Sequence, residues 1–260
     1  MELNFFALDH RLETLQEKRE RASQAALNEF DERLDVSWIY HDNALEGVVL
    51  SYHELKAAID KKIISDVSLI PMYEEIKNHK KAIEWVRDLA RQPQKSKKKN
   101  LITLETMKQL YSIVTPEEVA KGCPLRKDNP LHRLYFHEIS PPDKIVARLK
   151  KLTEWFDEED FAHLHPVDRA ARVQFRFMSI FPWTKNSGRV ARLLTNLMLL
   201  REGYPPAVVH SIDRQRYYDS LRSEGAGLIP LIYESVDNAI DTAIRFFDEL
   251  KEARRGRRAS

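Results

Sequence analysis

Glycine is scarce in this chain of 260 residues: there are 7, where average usage gives about 18. Few glycines beside abundant Leu, Ala, Glu, Lys and Arg point to an all-α protein. Each glycine is expected where a helix starts, stops or turns, Gly256 included. Cysteine is nearly absent. The single Cys123 excludes an internal disulfide and fits a reducing compartment. No apolar run reaches membrane-spanning length. The start, MELNFFALDHRLETLQ, is charged and amphipathic and lacks a signal-peptide pattern. A charge excess of one sign is missing too. With 42 basic and 40 acidic residues the net charge is +2, so no global field calls for nucleic acid. A soluble cytoplasmic protein with no membrane or nucleic-acid partner is the expectation. Oligomeric state stays open.

What is present supports a sizeable core: 43% of residues are hydrophobic and 32% charged, the latter fitting helices with solvated faces. Apolar spacing predicts a helix over 8–34 and a second over Asp35–Leu45, stopping at Glu46-Gly47. Ser51-Tyr52-His53-Glu54 reads as a capping box. Further helices are expected over Met72–Arg91, from Thr103 to Thr115-Pro116, over Pro142–Asp157, and near 212–223 and 228–253. Gln92–Asn100 reads as a basic surface connector. Prolines break Gly122–Pro142, where Leu131–Ile139 has strand-like content and predicts a short β-hairpin flap. Pro166, at a first helical position, opens an apolar helix to about Ile180. The basic tail RRGRRAS is expected to be disordered.

The most informative stretch is Phe181-Pro182-Trp183-Thr184-Lys185-Asn186-Ser187-Gly188-Arg189-Val190-Ala191-Arg192. A turn with one glycine feeds two arginines onto one face of an apolar helix ending at Gly203. Such a turn aims backbone N–H groups at an anion, with the helix dipole behind them.

The run from His165 to Val209 resembles the core of the Fic (Fido) family of nucleotidyl transferases, whose motif reads HPFx(D/E)GNGRxxR. Pro182, Gly188, Arg189 and Arg192 match it, and Trp183 replaces its Phe. Gly203-Tyr204-Pro205-Pro206 matches the family's GYPP. Trp38 to Gly47 is similar to the family's inhibitory helix, patterned (S/T)xxxE(G/N), with Glu46 as the inhibitory residue. Arg214 to Tyr218 is similar to the nucleotide-side helix. The resemblance implies a Fic-fold helical bundle: an N-terminal helical region over 1–100 carrying the inhibitory-type helix, a core over 101–253, and a basic tail over 254–260. It also implies transfer of AMP, from ATP or another nucleotide, to a protein hydroxyl.

The departures bear on chemistry. The motif base falls on Phe181, which has no ionisable group. The metal-binding acid falls on Lys185, whose ammonium repels Mg²⁺. The motif's second Gly falls on Asn186, its Asn on Ser187, and the inhibitory Ser/Thr on Asp42. No catalytic residue and no metal ligand remain at the motif positions. Anion binding is less damaged: Asn186 tolerates left-handed backbone, Ser187 offers a hydroxyl, and Gly188, Arg189 and Arg192 are kept. Tyr217 and Tyr218 complete the nucleotide-binding candidates, one of them expected to face the core. Phosphate binding and pairing of Arg192 with Glu46 are both open readings of the arginines. The expectation is a catalytically impaired protein acting through a nucleotide or a protein partner. The alternatives are an active transferase with rearranged chemistry and an antitoxin-like partner of another Fic protein. His137, His163, His165 and His210 are the candidates for a replacement base. Trp183, Phe175, Phe177 and Phe181 are expected to cluster around the loop, and His41 and His53 to be solvated or capping.

Overall fold

The computed structural model describes residues 3–59, 70–93, 101–130, 137–156 and 158–259. Its helices are α1 (Phe5–Glu20), α2 (Gln24–Leu45), α3 (Tyr52–Ile59), α4 (Ile70–Arg91), α5 (Leu104–Val114), α6 (Ile145–Trp155), α7 (Glu159–His163), α8 (Pro166–Ile180), α9 (Ser187–Arg201), α10 (Arg214–Arg222) and α11 (Leu228–Ala259). Among the described residues there is no β-strand. Most of the expected flap, 131–136, lies outside them, and the described remainder, 137–139, is irregular.

α9 is the central element. Nearly every residue from Ser187 to Leu199 is buried, the polar Arg189, Arg192, Thr195 and Asn196 included. α4, α5 and α8 pack on α9; α6 and α11 pack on α8; α1 and α2 pack on α11. The buried apolar residues form one core running from Leu8 to Phe247, so the N-terminal helices share it with the 101–253 segment.

Local chemistry sets the ends. Thr103 Oγ1 accepts from Thr106 N at 3.1 Å and opens α5. Ser51 and Glu54 exchange the reciprocal bonds of a capping box, at 2.7 and 3.2 Å. His165 caps α8 ahead of Pro166, its Nδ1 accepting from Val167 N at 3.2 Å.

Three boundaries differ from expectation. The first break falls at Arg21–Ser23, where Ser23 caps α2 on Ala26 N, so Asp35 sits inside a continuous helix. α6 starts at Ile145, after a 3₁₀ turn over Pro142–Lys144. At the other end α11 continues to Ala259, so the basic tail extends a helix and Gly256 lies within it.

Candidate functional site

The site is built where α8 turns into α9. Phe181 ends α8 in the left-handed region, φ 47°, with its N–H bonded to Phe177 O at 2.8 Å. Glycine usually fills this cap position because it lacks the Cβ penalty. A buried phenylalanine holds it here because the flanking backbone is pinned. Arg126, itself buried, donates to Phe181 O (2.6 Å), Ile180 O (3.3 Å), Asp128 O (3.1 Å), Asn129 Oδ1 (2.6 Å) and Ser140 O. It thereby places a cation at the negative end of α8. Arg126 N also donates to Pro182 O at 3.0 Å. Nothing in the local pattern of residues 122–130 marks this arginine, and sequence reasoning missed it.

The rest of the loop is self-satisfied. Trp183 stacks on Tyr111 with ring centroids 4.2 Å apart. Ser187 Oγ accepts from Trp183 N at 2.9 Å and donates to Trp183 O at 2.7 Å, so its hydroxyl is spent inside the loop rather than offered to an anion. Asn186 adopts the left-handed backbone expected of it, φ 58°. Its amide donates to Thr115 Oγ1 (2.9 Å) and Val114 O (3.2 Å), while Oδ1 accepts from Arg189. Lys185 is exposed and borders an open cleft of about 840 Å³ shared with Glu46, Glu74, Lys81 and Glu117.

α2 closes over this loop. Arg192, 5% exposed, donates through Nε to Asp42 Oδ1 and through Nη2 to Glu46 Oε1 at 2.8 Å. Arg189, 2% exposed, donates to Asn186 Oδ1 (2.9 Å) and Asn43 Oδ1 (2.8 Å), and its Nε lies 3.6 Å from Asp42 Oδ2. Burial alone pulls the Arg192 guanidinium down, but Asp42 and Glu46 hold it well above its ordinary value. A Cβ on Gly188 would sit 2.5 Å from Glu46 Oε1, so the glycine admits that carboxylate to the start of α9. The pairing of Glu46 with Arg192 expected from the sequence is present. The part of Asp42, bridging both arginines, was not foreseen.

The nucleotide-side helix also serves α2. Tyr217 and Tyr218 are both buried, where only one was expected, because α10 lies between α8 and the end of α2. Tyr217 OH accepts from Gln174 Nε2 at 3.2 Å, and the Arg192 guanidinium lies 5.9 Å from the Tyr217 ring. Tyr218 OH and Arg214 Nε both donate to Leu45 O at 3.0 Å, satisfying a carbonyl at the open end of α2.

The histidines have structural partners. His137 has its ring 6.2 Å from that of Phe181, with Nε2 at 2.9 Å from Met178 O. His163 is exposed beside Glu159, at 3.7 Å. His165 contacts Asp9 and Tyr204 and stacks on Phe5. His210 stacks on His41, which accepts from Ser211 N at 3.1 Å and is held down to about 4 by burial and by His210. Phe177 and Trp183 do meet, at 6.0 Å, but Phe175 packs against Gly225.

His79 on α4 is the other residue sequence reasoning missed. It recurs with Ile76, Ile83 and Val86 at helical spacing, a signal that places it on the buried face. It is wholly buried, with Nε2 3.4 Å from Asp42 Oδ2. Burial dominates and pulls its imidazole down to about 3, against the opposing pull of Asp42. The folded protein therefore holds it neutral, whereas the unfolded chain protonates it below about 6.5. Stability is full above that value and falls by ~1.4 kcal/mol per pH unit per such histidine as the pH drops toward 3. The urea midpoint is expected to be lower at pH 5 than at pH 7, with a shallower fall in His79→Gln. Identical pH slopes in parent and variant would rule out this contribution.

The position of the metal-binding acid carries the Lys185 ammonium, and no group of three or more His, Cys, Asp or Glu among the described residues could hold a metal ion. No helix of the described residues is long and apolar enough to cross a membrane.

Fold and site define a class: a helical domain whose α8–α9 turn is closed by the end of α2. Residues 101–199 match the model of the Fic/DOC family. The family match covers this central segment of the chain. The protein adenylyltransferase Fic of Drosophila ananassae is 26% identical over 226 residues, covering 84% of this chain and 44% of the relative. The chain thus spans less than half the length of such curated relatives. The fold is shared with a Fic-domain-containing signaling protein from Bacteroides thetaiotaomicron, at TM-score 0.76 and 23% identity, covering 92% of this chain and 98% of that one. It is shared as well with Fic-1 from C. elegans, at TM-score 0.73 and 21% identity, covering 95% and 74%.

Proposed function

We propose that this protein is a catalytically impaired relative of the protein adenylyltransferases and works by binding, with a nucleotide and a protein as its partners, in the cytoplasm. The observation that carries this reading is the pair Phe181 and Lys185. A buried, non-ionisable side chain stands at the base position and an exposed ammonium at the position of the metal-binding acid. Loss of a general base alone slows such transfer by about 10²–10⁴-fold. Arg189 and Arg192 are the groups left to meet phosphate once α2 withdraws, with α10 beside them. The open cleft at Lys185 supplies the adjoining surface for a protein partner.

With labelled ATP the protein is expected to transfer no AMP to itself or to other proteins, with or without Mg²⁺. Excess ATP is expected to raise the melting temperature as the ratio of ligand to Kd grows. Labelling that disappears in Arg189→Ala would establish an active enzyme instead. A melting temperature unmoved by millimolar ATP, both in the parent and in a variant with α2 released, would remove the nucleotide from the reading.

A further inference from the structure

We propose that Asp42 is a second lock on α2, independent of Glu46, so that the closed state of this protein survives the loss of Glu46. The proposal rests on the reading above, in which the arginine pair is the anion site. Asp42 lies in the last turn of α2, four residues before Glu46 at its C-cap, and is the more deeply buried of the two: its side chain is 4% exposed and that of Glu46 15%. It meets Arg192 through Oδ1, and its Oδ2 faces Arg189 Nε at 3.6 Å and His79 Nε2 at 3.4 Å. One carboxylate thus spans both arginines and touches α4 as well. Its neighbour Asn43 accepts from Arg189 and anchors its own amide on Ile39 O at 2.7 Å, which keeps the acceptor aimed. Removing Glu46 leaves these contacts in place.

Charge explains why a carboxylate suits position 42. Two buried guanidinium groups need two anions, and His79 is held neutral, so Asp42 and Glu46 bring the network to balance. A serine or threonine at this position could accept a hydrogen bond but would leave one buried positive charge uncompensated. The aspartate therefore converts a single clasp into a double one, and a ligand that enters must displace both.

The test is amide hydrogen exchange over residues 36–46 of the full chain, in the parent, Glu46→Gly, Asp42→Ser and the double variant, each with and without ATP. Expected is protection in Glu46→Gly within about threefold of the parent, and exchange at least about tenfold faster in the double variant. Equal acceleration in Glu46→Gly and the double variant would overturn the second lock. Should the double variant fail to fold, Asp42→Asn with Glu46→Gln keeps the shapes and removes the charges. Exchange in that pair no faster than in Glu46→Gln alone would overturn the proposal equally. Binding of ATP is read separately. A double variant with α2 exposed that ignores ATP upholds the lock and discards the anion-site reading.

Discussion

A variant carrying Phe181→His with Lys185→Asp, Asn186→Gly and Ser187→Asn, combined with Asp42→Ser and Glu46→Gly, is expected to label itself with AMP from ATP and Mg²⁺ far beyond the parent. The gain over the parent is expected to reach about 10²–10⁴-fold from the restored base alone. The backbone is already prepared. Residues 181 and 186 are both left-handed, at φ 47° and 58°, and glycine takes the second conformation without cost. Gly188 already opens the start of α9. The substitutions give up the Ser187–Trp183 exchange and the Asn186 bridge to Thr115, so a second variant that keeps Asn186 and Ser187 separates chemistry from folding. Arg189→Ala in the same background should return the signal to zero. A restored variant that folds, binds ATP and stays silent would place the loss beyond the loop.

Arg126→Met is expected to be the most damaging single change outside the buried ion network. The side chain donates to the carbonyls of Ile180, Phe181, Ser140 and Asp128 and to the Asn129 amide oxygen. Methionine fills much of the volume but leaves buried carbonyls without donors, a loss on the order of 3–5 kcal/mol. The strained Phe181 turn loses its support at the same moment. Denaturant titration measures the loss, and the near-ultraviolet signal of Trp183, stacked on Tyr111, reports the loop. Arg126→Lys keeps charge but not the fork and should recover less than half. A loss under about 1 kcal/mol would mean that Asn186 and Ser187 hold the loop unaided.

Elements with strong periodicity and caps were readable from the chain: α4, α5, α8 and α9 stand within a few residues of their expected bounds. The first break was misplaced because Ala22 and Ala26 keep the apolar rhythm across Ser23, which hides a cap inside a longer stripe. At the site, motif spacing located the arginines, the left-handed Asn186 and the Glu46 pairing. It could not show where the arginines' remaining donors go. Asp42 and Asn43 lie 146–150 residues from their partners in the chain, and only the packing of α2 on the loop brings them together. Arg126 eluded sequence reading for the same reason, since its acceptors lie mostly on backbone, which carries no residue code.

The closed carboxylates leave an imprint on how this lineage can change. A side chain at position 188 would run into Glu46, and a neutral residue at 189 or 192 would strand an acid beneath α2. Selection for a folded chain is therefore enough to retain Gly188, Arg189 and Arg192, whether or not they meet a ligand. Lys185, exposed beside the open cleft, is under no comparable burial constraint. Residues of such a motif can thus be kept because the fold needs them, independently of any chemistry they perform.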